Sequence, residues 1–80
     1  MKYWTWQSPE VYLAYMTELG LEGHPLYDDF RKVQYLEKGA LPQAFEIYPD
    51  VFLWRNHGHR MIYERMVKER ILILTAIERM

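Results

Sequence analysis

The stretch Val51-Phe52-Leu53-Trp54-Arg55-Asn56-His57-Gly58-His59-Arg60-Met61-Ile62-Tyr63-Glu64-Arg65-Met66 decides how the chain folds. Two runs rich in β-branched and aromatic residues flank His57-Gly58, and such runs around a glycine turn predict a hairpin. Strands are expected over Val51 to Asn56 and His59 to Met66. Toward the C-terminus, Val67 to Glu69 reads as a tight connection and Arg70 to Ile77 as a further strand. Its Ile71-Leu72-Ile73-Leu74 run is apolar on both faces, which predicts a central place in the sheet with cover on each side. Toward the N-terminus, Tyr48-Pro49-Asp50 reads as a bend and Ala44 to Ile47 as a brief strand.

Ahead of Gly39 and Pro42 the apolar spacing becomes helical. Pro25 can open a helix whose buried row is Leu26, Phe30, Val33 and Leu36. Earlier, Ser8-Pro9-Glu10 offers a hydroxyl cap, a proline at the first helical position and an acid in the first turn. Tyr12, Tyr15, Met16 and Leu19 follow as one stripe, and Gly20 is the expected stop. Lys2 to Gln7 alternates Trp4 and Trp6 with Tyr3 and Thr5, the pattern of a short strand. The expectation is one α+β domain over residues 1–80. It has an N-terminal strand, a two-helix hairpin, then a three- to four-stranded antiparallel sheet with both helices on one face.

Composition bounds the chemistry. A chain of 80 residues and 9.8 kDa has room for one small core, because it buries only roughly 60 to 65% of its unfolded surface. Half the residues are hydrophobic and 26% are charged, too apolar for a disordered tail and too interrupted for a membrane span. With no cysteine, disulfide staples, thiolate catalysis and zinc ribbons are excluded. His24, His57 and His59 lack the spacing of a metal site, so no metal and no cofactor is expected. The opening MKYWTWQSPE has no basic region followed by an apolar core, and the expected location is the cytoplasm, without a membrane partner. A formal charge of −1 and a pI near 6.3 disfavour RNA as a partner. Five of the six arginines nevertheless fall after residue 42.

Pro49-Asp50-Val51-Phe52, then Arg55, then Gly58-His59-Arg60-Met61-Ile62-Tyr63, then Ile71 to Leu74 before Glu78-Arg79-Met80 resemble the sheet half of the RelE/ParE toxin superfamily of bacterial type II toxin–antitoxin modules. The helical half is similar in order and not in motif. Members resembling RelE or YoeB cleave messenger RNA, most of them on the ribosome, whereas those resembling ParE bind DNA gyrase and are not nucleases. The same fold serves both, so fold alone does not choose.

As a metal-independent endoribonuclease, the resemblance implies Arg55, Arg60 and Arg79 around the scissile phosphate, with Arg60 as anchor. His57, His59 and Glu46 are then the candidates for acid and base. Neighbouring strand residues face opposite ways, so His59 and Arg60 share a site only if a bulge intervenes. The chain also departs from the nucleases. Leu53 stands where RelE-like members have a lysine, and Met80 ends the sequence before their tyrosine-bearing tail and without the terminal His-Tyr of YoeB-like ones. Glu78-Arg79-Met80 is similar instead to a string near the end of ParE-like members. Binding without catalysis is the expectation, through Trp4, Trp6, Arg65 and Met80.

Its partners would be a cognate antitoxin or a host protein complex, with a homodimer also open. The alternative from another class is a non-catalytic, phage- or plasmid-encoded inhibitor or adaptor aimed at a host complex such as a nucleic-acid-guided defence machine. Cross-strand ion pairs on a solvated sheet face would account for the arginines with no function at all.

Overall fold

The computed structural model describes residues 3–7, 10, 14, 17 and 25–80. In chain order these form β1 (Thr5–Trp6), α1 (Pro25–Lys32), a 3-10 turn (Val33–Tyr35), β2 (Phe45–Tyr48), β3 (Val51–Asn56), β4 (His59–Met66) and β5 (Ile71–Arg79). The strands make one five-stranded sheet in the order β1-β5-β4-β3-β2. β2 to β5 is an antiparallel meander, and β1 joins its far edge parallel to β5.

The expected two-helix hairpin above an antiparallel sheet of three to four strands is therefore corrected. The described residues are mostly sheet, the sheet is mixed, and the second helix stops at Lys32. The first expected helix lies, apart from Glu10, Ala14 and Thr17, outside the described residues.

The early stop has a physical cause. Beyond Tyr35 the backbone turns extended at Leu36 (φ −88°, ψ 130°), and the carbonyls that a helix would consume bind other groups instead. Gln34 accepts from the Tyr3 and Trp4 amides, Glu37 from the Trp4 indole at 3.1 Å, and Lys38 from Arg65 at 2.5 Å. Long-range donors thus hold residues 34–38 as an irregular collar.

The hairpin turns follow from local chemistry. His57 and Gly58 both adopt positive φ, 51° and 74°, as a two-residue type I′ connection requires. On the inner face of the sheet, Phe52 and Trp54 of β3, Met61 and Tyr63 of β4, and Leu72 and Leu74 of β5 are buried with Trp4, Val33 and Leu41. Tyr63 is the hub, stacked on Phe52 (ring centroids 5.2 Å apart) and edge-on to Trp6 at 5.6 Å.

Burial along β5 alternates. Ile71 and Ile73 stay half-exposed while Leu72 and Leu74 are buried. β4 takes the middle of the sheet while β5 lies next to its edge, flanked by β1 only at Ile71 and Leu72. The strand thus has neither the central place nor the second cover expected for it. A bulge at Thr75, between the Ile62–Ala76 and Tyr63–Leu74 pairs, lets its hydroxyl donate to the Ile62 carbonyl at 3.0 Å.

Candidate functional site

Register decides which candidate residues can meet. Arg55 and Arg60 stand directly opposite each other on β3 and β4, and Arg60 stands opposite Glu78 on β5. Directly paired residues share a face, so the three form a row across the outer face of the sheet. Arg60 is ion-paired with Glu78. Arg55 makes no ion pair among the described residues, so the row carries two guanidinium groups and one carboxylate, which pairs with Arg60 alone.

His59 belongs to the opposite face. It is 8% exposed, pairs in register with Arg79 and Asn56, and its Nδ1 lies 2.9 Å from the His57 carbonyl. The Thr75 bulge lies beyond Ile62, too far along β4 to turn His59 and Arg60 to one side. Glu46 is on β2, where its carboxylate accepts from the Asp50 amide at 2.8 Å and lies 3.8 Å from Arg65. The arginines expected around one phosphate are thus split, with Arg55 and Arg60 on one face and Arg79 in register with the other. The acid and base candidates His59 and Glu46 stand apart from each other and from Arg60. In-line RNA cleavage needs base, acid and cation within hydrogen-bond reach of one phosphate, and these five residues are not so arranged.

The four expected contact residues also separate. Trp4 is 2% exposed and is a core residue. Trp6 is half-buried against the core. Arg65 is held by Asp50, whose Oδ1 accepts from Nη2 at 2.7 Å and from Nε at 3.0 Å. Met80, 66% exposed, is open at the end of β5.

Two groupings escape the sequence. Asp29 of α1 accepts from Asn56 at 3.0 Å and lies 3.4 Å from His57 Nε2, tying the helix to the β3–β4 turn. Nothing in the local pattern links residues so far apart in the chain. The second is β2, every residue of which is exposed. Phe45 is 73% and Tyr48 70% exposed, and among the described residues no strand pairs with the strand's outer edge. A bulge at Ile47, between the Glu46–Phe52 and Tyr48–Val51 pairs, puts Phe45 and Tyr48 opposite Leu53 and Val51 on the outer face. The signal was present as aromatic residues in so short a strand, which has no side-chain period long enough to tell core from surface.

No protein-family model, curated protein or solved structure matches this chain. Among the described residues no helix is long and apolar enough to cross a membrane, and no group of three or more His, Asp or Glu could hold a metal ion.

Proposed function

We propose that this chain acts by binding a host protein, as a RelE/ParE-like domain without ribonuclease chemistry, and that β2 with the adjoining outer sheet face is the contact surface. The observation carrying this is the exposure of Phe45, Ile47 and Tyr48 together on an edge strand. An open edge offers unpaired backbone groups to a partner strand, and aromatic side chains are favoured anchors of interfaces. Leu53, Ile62 and Ile73 extend the apolar surface inward from that edge, each half-exposed. Arg55 and Arg60 at its border give it a charged rim, which suits a partner with a carboxylate there. The dispersed acid and base candidates support binding over catalysis.

Affinity capture from bacterial lysate with the wild-type chain and a Phe45→Lys/Tyr48→Lys variant tests this. A stoichiometric protein partner held by the wild type and lost in a variant that still folds is expected. Metal-independent cleavage of RNA by the purified chain, abolished in Arg60→Ala, would overturn the reading. Expression in the same assay separates the two kinds of binder: growth arrest relieved by a small co-expressed protein marks a toxin, and unaffected growth marks an inhibitor or adaptor.

A further inference from the structure

At the end of the sheet away from Arg55 and Arg60, a cleft of about 400 Å³ is lined by Trp4, Glu37, Lys38, Arg65, Val67 and Arg70. That is the size of a small-molecule site. Two guanidinium groups in its wall are held still. Arg70 lies 5.0 Å over the Trp4 ring and donates to the Glu37 carbonyl at 3.1 Å. Arg65 lies 5.0 Å over the Phe52 ring and donates to the Lys38 carbonyl at 2.5 Å. The Arg65 charge is matched by Asp50 at 2.7 Å. Those of Arg70 and Lys38 are not, since neither makes an ion pair among the described residues. In a chain of net charge −1, two unmatched cations facing one cleft reverse the local sign.

The backbone adds an independent observation. Arg70 closes the β4–β5 turn with φ 59°, a left-handed conformation that strains any residue with a β-carbon and that glycine adopts freely. Glycine would close this turn at lower cost, yet an arginine stands there with its head in the cleft. Because stacking and the carbonyl bond already fix that head, little rotamer freedom is lost when an anion arrives. A planar guanidinium and an ammonium together suit the divergent oxygens of a phosphate group.

We propose that this cleft binds a phosphate group borne by a small molecule of mononucleotide size. Arg70 and Lys38 donate to its oxygens, and Val67 lies against its apolar part. Glu37, the one carboxylate in the wall, opposes the anion and sets a ceiling on affinity. Two unmatched cations make a pocket for one phosphate and not a track for a polyanion. No residue lining the cleft belongs to β2, and the proposal does not rest on the protein-binding reading.

The test follows the Trp4 indole N–H resonance of the intact chain during titration with inorganic phosphate, adenosine monophosphate, adenosine and a short single-stranded RNA. Phosphate and the monophosphate are expected to shift it at millimolar concentration, and adenosine is not. Arg70→Ala and Lys38→Ala should each weaken monophosphate binding about tenfold. Glu37→Gln should tighten it, and Lys68→Ala, in the same turn but outside the cleft wall, should leave it unchanged. No response to phosphate or the monophosphate overturns the proposal, as does equal weakening by Lys68→Ala. Much tighter, steeply salt-dependent binding of the RNA overturns it in favour of nucleic acid. Lys38 and Glu37 are exposed, so their variants keep the test decisive if Arg70→Ala fails to fold.

Discussion

Gly39 lies against the Trp4 indole so closely that a β-carbon there would fall 2.6 Å from Cε2 and 2.9 Å from Cδ2. Its φ of 63° independently requires a residue tolerant of the left-handed region. The indole has nowhere to retreat, because its N–H is bonded to Glu37 and its ring lies beneath Arg70. Gly39→Ala should therefore cost about 3 kcal/mol, combining left-handed strain with overpacking. Gly58→Ala is the control: its φ is 74°, but nothing lies within 4 Å of the added carbon. It should cost only the strain, about 1 kcal/mol. Urea denaturation of both variants checks the difference, and equal losses would show that the Trp4 contact does not matter.

Tyr63 makes stability fall at high pH. Burial pushes its hydroxyl up to about 12, against weaker opposite pulls from the Leu41 backbone and the Arg65 charge. A phenol with a folded pKa above its unfolded value keeps its proton longer in the native state. Its full contribution is thus present below about pH 10 and is lost as the pH rises toward 12. The loss should reach on the order of 2 to 3 kcal/mol by the upper end of that window. Tyr63→Phe removes this dependence, since the ring keeps its place on Phe52 and the bond given up, to the Gly39 carbonyl, is a long 3.4 Å. Denaturation midpoints of both proteins from pH 9 to 12 decide it: parallel curves would mean that another group titrates.

Arg55 opposite Arg60 is a like-charge pair on a partly solvated face, and such pairs destabilise a sheet. Arg55→Glu would give Arg60 a second carboxylate, opposite Glu78. A gain of about 0.2 to 1 kcal/mol is expected, shrinking in high salt because the side chains are exposed to water. A loss of stability in Arg55→Glu would mean that the row is held by something other than charge.

Much of the sheet could be read from the residues, and the reasons are local. β3 and β4 run over Val51–Asn56 and His59–Met66 with a His57–Gly58 turn, as composition and turn chemistry together require. The ends of β2 and β5 fall within two residues of their expected places. The collar after Tyr35 was not legible. Its carbonyls are claimed by Trp4, Arg65 and Arg70, donors remote in sequence, and helical spacing through Val33 and Leu36 says nothing of that competition. The grouping of the site residues was not legible for a related reason. Alternation correctly separated His59 from Arg60, but only the paired register shows that Arg55 and Arg60 share a face, that Glu46 belongs with Arg65, and that Trp4 is core.

Asp50 carries two opposed effects, and substitutions can part them. Its carboxylate takes two donors from Arg65, a side chain only 19% exposed, while its own φ of 63° strains the β2–β3 turn. Removing the carboxylate leaves the guanidinium with Glu46 at 3.8 Å and the Lys38 carbonyl. Asp50→Ala should cost about 1 to 2 kcal/mol, the lower part of the range for a partly buried charged bond because the Asp50 side chain faces water. Asp50→Gly loses the same bonds but relieves the strain, and should be roughly 1 kcal/mol more stable than Asp50→Ala. Asp50→Asn keeps both the tolerance of the left-handed region and one acceptor oxygen, so its loss isolates the charge. Thermal denaturation of the three variants gives the order. Should Asp50→Gly prove the least stable of them, the strain at this turn is negligible and the Arg65 contact alone holds the corner.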